Sequence, residues 1–391
     1  MSMSRRTFIS SSTAAATATA IAARYAGAQG ATPSSATPMA DAVERENRVL
    51  AAMEEHGIPG AIVLYDSPET GRWTAALGVA DLEGGEPMTT DMHMRIGSIT
   101  KTFTATMILQ LVDQGALALD DTLATLLPSQ SGLPNADAIT LRHLLTMQSG
   151  IPDYINMEGV LTADPYETVP PEDLVALVAG QAAEFAPGEG NRYSNTNYIL
   201  LGMIAEEVTG TPWPELVQAN ILDEVGLAHT TIPDGPELPS PSPKGYDYGM
   251  MQMVTGEPGA TPAPDAEPVD ATLINTSVLG PAGNMIGTIA DLHAWMRVLL
   301  DGSLLSPELQ ADRLDLSDEG FIESPIGGMT YGLGIAMKDG GIGHDGGITG
   351  FRSTMHFWPD TEETVITMTN VVPTADGQDP APILIGAVLG D

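Results

Sequence analysis

The chain has 391 residues, 43% of them hydrophobic, no cysteine, and a formal net charge of −36 from 51 acidic against 15 basic side chains. That length supports two or three domains' worth of chain, or one large composite domain with a sizeable core. The lack of cysteine excludes disulfides, thiolate metal sites and a cysteine nucleophile, and the acidic field repels nucleic acid and anionic lipid.

In chain order, Ser4-Arg5-Arg6-Thr7-Phe8-Ile9 opens a twin-arginine signal over residues 1–28, with an uncharged Ala/Thr/Ser run and Ala26-Gly27-Ala28 as a cleavage site. A basic tail is the plainer alternative. The signal predicts export by the twin-arginine route to a periplasmic or extracellular location, with membrane contact only through an uncleaved signal. No later segment has the roughly 18 uninterrupted apolar residues of a membrane span. Residues 29–40, rich in Pro, Ser and Thr, read as a linker, and 41–390 as the folded domain.

Within that domain a helix fits 41–56, ended by Gly57. Gly60–Asp66 and Arg72–Val79 read as two strands around a turn-forming Asp66-Ser67-Pro68-Glu69-Thr70-Gly71 segment. Residues 98–114 place Phe103, Met107 and Leu111 at helical core spacing before Gly115. Thr140–Gln148 and 196–209 are further helices, and Pro, Gly, Asp and Glu crowd 234–270, which suggests a long loop or lid. After a helix over 289–300 capped by Thr288, the chain returns to strands at Tyr331–Met337, Gly341–His344, Phe351–Trp358 and Glu363–Asn370, and closes with a helix at 380–388. Strands at both ends with helices between predict an α+β fold: an antiparallel sheet built from about 41–95 and 280–390, flanked by helices, plus an inserted mainly helical part over about 96–279.

Three lysines occur in the chain, and one, Lys101, follows Ser98 by one helical turn. Residues three apart on a helix are roughly 5–6 Å apart at Cβ, so the amine can take the hydroxyl proton that keeps serine a poor nucleophile. Two further elements follow in order: Tyr193-Ser194-Asn195 before a helix, and His344-Asp345-Gly346 on a strand. Singly, each has a plain structural reading. Ser98 caps a helix, Lys101 is solvated, Tyr193 and Asn195 are turn residues, and His344 is a packed strand-end histidine. No Gly-x-Ser-x-Gly elbow and no His-x-x-x-His pair offers a competing chemistry.

With their flanks, Arg95–Thr104, Leu141–Thr146, Tyr193–Tyr198, Tyr331–Gly334 and Gly343–Phe351, these elements resemble the serine β-lactamase and penicillin-binding family. The likeness is to its branch of class C β-lactamases, D-alanyl-D-alanine carboxypeptidases, class VIII esterases and D-aminopeptidases. The resemblance spans roughly 41–390 and implies a β-lactamase/transpeptidase-like fold and hydrolysis of an ester or amide through a Ser98 acyl-enzyme. It implies Lys101 as base and Tyr193 as proton carrier to the leaving group. Asn195 holds Lys101 and the substrate carbonyl, and His344, where the family has lysine, completes the proton network. The oxyanion donors are the N–H groups of Ser98 and Gly347; no metal and no cofactor is implied. Asp345 and Gly346 line the substrate, with Arg352 as a carboxylate partner. The middle position of the last element carries a hydroxyl in carboxypeptidases and β-lactamases but is Asp345 here, which repels a substrate carboxylate if it faces the cleft. Substrates left open are small esters, D-amino-acid amides, D-Ala peptides of peptidoglycan type and β-lactams. A penicillin-binding sensor with poor turnover is the alternative, and the pattern implies no oligomeric state.

Overall fold

The computed structural model describes residues 38–157, 160, 164, 166–249, 267–316, 321–322 and 328–390. The export signal, positions 29–37 of the linker and positions 250–266 of the Pro/Gly-rich stretch lie outside the described residues.

Eight strands form one antiparallel sheet: β1 Gly60–Ser67, β2 Gly71–Gly78, β3 Phe321–Ile322, β4 Met329–Tyr331, β5 Ala336–Lys338, β6 Gly341–Ile348, β7 Phe351–Trp358 and β8 Glu363–Thr369. Their order is β2-β1-β8-β7-β6-β5-β4-β3. The two ends of the chain meet in the middle, where β1 pairs with β8 from Ala61↔Thr369 to Asp66↔Thr364. This is the α+β architecture that the element pattern predicts. Five longer helices accompany the sheet: α1 Pro38–His56, α2 Thr100–Asp113, α3 Asn195–Thr209, α4 Ile289–Asp301 and α5 Pro380–Leu389.

Alternation along β1 divides the core. Ala61, Val63 and Tyr65 pack with Val49 and Met53 of α1 and Leu384 and Val388 of α5 on the outer face. Ile62 and Leu64 point the other way, into the larger cluster with Phe103 and Met107 of α2 and Trp295 of α4. The mainly helical stretch between β2 and β3 therefore covers the inner face of the sheet.

Two elements differ from their sequence reading. Tyr331–Met337 is two short strands, not one, because the chain reverses between β4 and β5, where the Gly332 N–H reaches the Ile335 carbonyl at 2.9 Å. Burial on α2 extends well past the Phe103–Met107–Leu111 stripe to include Thr102, Thr104 and Thr106. Each of these hydroxyls donates to a backbone carbonyl at 2.7 Å (Ile99, Pro281 and Thr102 respectively), so a residue type that reads as polar enters the core without an unmet donor.

Candidate active site

Ser98 lies in a 3-10 turn, Gly97–Ile99, that runs directly into α2. The free N–H groups of a helix start favour negative charge there. The turn sits against β6 at close range. A Cβ on Gly97 (φ +50°) would come within 2.8 Å of Gly347 N, and one on Gly346 within 1.9 Å of the Ile96 carbonyl oxygen. Only glycine at both positions permits that approach. Ser353 of β7 fastens the contact by donating its hydroxyl to the Ile96 carbonyl at 3.0 Å. The N–H groups of Ser98 and Gly347, the oxyanion donors named by the resemblance, thus come from adjoining backbones.

Lys101 is fully buried, and its Nζ has three oxygen neighbours: Ser98 Oγ at 3.0 Å, Asn195 Oδ1 at 2.7 Å and the Ala282 carbonyl at 2.7 Å. Two of the three are pure acceptors in this arrangement. A neutral amine has two N–H bonds to give and one lone pair. Satisfying Asn195 and Ala282 uses both donors and leaves the lone pair facing the Ser98 hydroxyl, the geometry of a general base. Burial lowers the Lys101 pKa to about 7, against an opposing pull from Asp153. The base form is therefore populated at neutral pH.

Tyr193 packs against this pair, with Lys101 Nζ 4.8 Å from its ring centroid. Its hydroxyl is buried, with Ser98 as its hydrogen-bonding neighbour. Burial raises its pKa well above the usual phenol value, Ser98 acting in the opposite direction. Tyr193 is thus a neutral hydroxyl at the site, able to relay a proton but not present as phenolate.

The structure places His344 beside these groups but does not hydrogen-bond it to Ser98, Lys101 or Tyr193. One ring nitrogen, Nδ1, faces the Asp345 carbonyl, and Nε2 meets the Tyr331 hydroxyl at 2.9 Å. Burial, aided by the Lys101 charge, pulls the His344 pKa down to about 3, so the ring is neutral. A neutral ring that gives its Nδ1–H to a carbonyl has only a lone pair at Nε2, which accepts from Tyr331. His344 has no N–H left for the reaction. The ring stands edge-on to Tyr331 with ring centroids 5.6 Å apart.

Asp345 and Arg352 are brought to each other, on the face of the sheet opposite His344. Strand register puts Asp345 opposite Thr354, with Arg352 and His356 two residues to either side. Asp345 meets His356 Nε2 at 2.7 Å, Arg352 at 3.3 Å and Lys338 Nζ at 3.5 Å. Arg352 also forms two 2.7 Å bonds to Asp379, the residue that caps α5. Burial pushes the Asp345 carboxyl up, but Arg352, His356 and Lys338 outweigh it and hold the group well below the usual carboxylate range. These charges satisfy one another. Gly346 meets the nucleophile turn, not open cleft.

One carboxylate at the centre has no counterpart in the sequence reading. Asp153 Oδ2 accepts from Asn195 Nδ2 at 2.9 Å, and Asp153 Oδ1 caps a 3-10 turn through Ile155 N–H at 3.2 Å. Its only sequence signal is a capping aspartate after Ser149-Gly150-Ile151-Pro152; nothing local links it to a residue 42 positions on. The Ala282 carbonyl is equally invisible to spacing, and Tyr331 enters the sequence reading only within the Tyr331–Gly334 flank.

A seryl hydroxyl against a buried amine of near-neutral pKa, under paired backbone donors, defines a serine acyl-transfer site. Residues 45–389 match the Beta-lactamase family model, and the chain belongs to that family of serine hydrolases. It is 28% identical over 348 residues to penicillin-binding protein 4 of Amycolatopsis lactamdurans, covering 83% of this chain and 84% of that one. It is 29% identical over 248 residues to esterase EstB of Burkholderia gladioli, covering 54% of this chain and 62% of that protein. Among solved structures, a D-stereospecific amidohydrolase from Streptomyces sp. superposes with a TM-score of 0.73 at 31% identity, over 88% of this chain and 97% of that one.

Proposed function

We propose that this protein is an exported hydrolase that opens an amide or ester bond through a Ser98 acyl-enzyme. Its substrates carry an uncharged group, not a free carboxylate, next to the scissile bond, as in D-amino-acid amides, D-peptide amides and small esters. The observation that carries the reading is the Lys101 amine, buried, 3.0 Å from Ser98 Oγ, with its other two oxygen neighbours both acceptors. Lys101 takes the hydroxyl proton as Oγ attacks the carbonyl carbon. The Ser98 and Gly347 N–H groups stabilise the oxyanion, a contribution of about 3–4 kcal/mol per donor in related chemistry. The tetrahedral adduct collapses as the proton passes from Lys101, by way of the Tyr193 hydroxyl, to the departing nitrogen or oxygen. Water then repeats the sequence on the seryl ester, its proton going to Lys101 and returning to Ser98.

The substrate preference rests on charge. Arg352 and Lys338 are both ion-paired with Asp345, so neither is a bare cation awaiting a carboxylate. An extended acyl chain suits the edge of β6. Its ladder with β5 covers only Gly341–Gly343, and beyond that the backbone has no strand partner on the β5 side among the described residues. Similarity to a D-stereospecific amidohydrolase supports the amide end of the range. Export rests on the twin-arginine pattern at Arg5-Arg6.

The deciding experiment is a panel of short p-nitrophenyl esters, D-amino-acid amides, D-Ala-D-Ala peptides and nitrocefin, run on the wild type and Ser98→Ala. Turnover of amides or esters that vanishes with Ser98→Ala supports the reading. A long-lived Ser98 adduct with penicillin and no turnover of any substrate would replace it with a penicillin-sensing role. Preference for the free-carboxylate peptides would overturn the specificity argument. Replacing Arg5 and Arg6 by lysine should trap the protein in the cytoplasm; undiminished secretion would refute twin-arginine export.

A further inference from the structure

We propose that Asp153 is a positioning residue of the reaction: its carboxylate fixes which way round the Asn195 amide lies, and so presents Oδ1, not Nδ2, to the Lys101 amine. This inference rests on the acyl-transfer reading above. An amide has two ends of similar size and opposite hydrogen-bonding sense. Facing Lys101 with Nδ2 would set two donors against each other and take from the amine one of the acceptors that aim its lone pair at Ser98. The flanking group decides the matter. Asp153 Oδ2 is an acceptor at 2.9 Å from Asn195 Nδ2, which leaves Oδ1 for Lys101 Nζ at 2.7 Å.

Asp153 is itself held firmly. Its partners are all donors: the Ile155 N–H, the Asn195 side-chain amide and, at the first turn of α3, the Asn195 backbone N–H. Those donors and the Lys101 charge favour the ionised carboxylate, while burial, the largest influence, holds its pKa above the usual carboxylate value. Ser194, the residue preceding α3, makes no side-chain cap bond, so Asp153 supplies the negative charge that a helix start favours. Neighbouring bonds keep the segments in register: Thr196 Oγ1 donates to the Pro152 carbonyl at 2.7 Å and receives the Tyr154 N–H at 3.1 Å.

The same carboxylate acts on the base through charge. Around Lys101 stand Ser98 from the nucleophile turn, Tyr193, Asn195 and Tyr198 at α3, the Ala282 carbonyl, and His344 from β6, with Tyr331 behind it. Tyr193, Tyr198 and Tyr331 are neutral because burial raises their pKa values, and His344 is neutral because burial lowers its own. Asp153 is the opposing charge that Lys101 senses. Its presence keeps the amine pKa higher than burial alone would set it.

The test is the pH profile of kcat/KM for wild type and Asp153→Asn, alongside a lysine NMR titration. With only Lys101, Lys244 and Lys338 in the chain, isotope-labelled lysine reports the amine directly. Asp153→Asn removes the charge and keeps one of the two acceptor oxygens, so with its carbonyl on Asn195 its own amide nitrogen faces the Ile155 N–H. The acid limb and the Lys101 titration should both move down by about one pH unit. A merely structural aspartate leaves both where they are, and coincident limbs would overturn the proposal. Asp153→Ser is the second variant, since serine still caps the turn at Ile155 but falls short of Asn195. It should lose on the order of 100-fold in kcat with KM little changed, and retention of full kcat would equally refute the inference. Should wild type itself give no Ser98 adduct with a fluorophosphonate, the hydrolase reading fails first. A labelled wild type with unshifted variants sinks only the role of Asp153.

Discussion

The sharpest consequence of the site concerns Lys101 and pH. On the proposed mechanism acylation requires the neutral amine, and burial lowers its pKa to about 7. The neutral fraction is then about a tenth near pH 6, half near pH 7 and nine-tenths near pH 8. The second-order rate of Ser98 labelling by a fluorophosphonate should therefore rise about tenfold from pH 6 to pH 8 and then level off. Lys101→Arg tests the cause. A guanidinium keeps the positive charge and the donors to Asn195 and Ala282, but it does not deprotonate in this range. Losing the base should cost about 10³-fold in rate, equivalent to about 4 kcal/mol of barrier, and the residual rate should lose its dependence on pH between these limits. The measurement is a labelling time course at each pH, with mass mapping of the adduct to Ser98. A flat wild-type profile, or an arginine variant that keeps more than about a tenth of the rate, would refute the assignment of Lys101 as base.

Three further outcomes follow from the same geometry. Tyr193→Phe removes a buried hydroxyl whose hydrogen-bonding neighbour is Ser98 alone among side chains, so stability should change by no more than about 1 kcal/mol, while kcat falls roughly 100-fold or more; a larger fall in melting temperature would show that the hydroxyl has a structural role. Gly346→Ala places a Cβ 1.9 Å from the Ile96 carbonyl, and by forcing the nucleophile turn off β6 it should abolish labelling of Ser98 in a protein whose circular dichroism still reports the sheet; normal labelling would contradict the packing argument. Asp345→Asn removes the centre of the Lys338–Arg352–His356 cluster and should cost about 3 kcal/mol at neutral pH. Because the folded pKa of Asp345 is depressed, its stabilisation is complete above the unfolded value of about 4 and is lost as pH falls through the lower folded value. The gap in melting temperature between variant and wild type should therefore close in acid, and a gap independent of pH would count against the ion pairs.

Much of the fold was legible because its signals are local. Two strand-forming runs around a turn made the β1–β2 hairpin, and Thr288 announced α4 by capping it. The Ser98–Lys101 pair was legible for the same reason: one helical turn sets the distance. Asp153 was not legible, because its bond to Asn195 depends on two separate segments being pinned together by Thr196, and no periodicity spans them. His344 was found as a residue but not in its orientation. Whether its ring could donate to the reaction depended on two partners, the Asp345 carbonyl within the motif and Tyr331 outside it.

The Asp345 carboxylate shows the division most plainly. Strand alternation, a property of sequence, already required His344 and Asp345 to face opposite ways. Which of them met the nucleophile depended on which face of β6 the Ser98 turn packed against. That was decided by tertiary structure: Gly346 has no side chain to keep the Ile96 carbonyl away on one face, while Arg352, Lys338 and His356 gather around Asp345 on the other. Sequence alone determined the chemical groups and their local spacing, because backbone geometry within one element is invariant. Their protonation states and directions came only with packing, since burial and long-range partners do not exist until the segments meet.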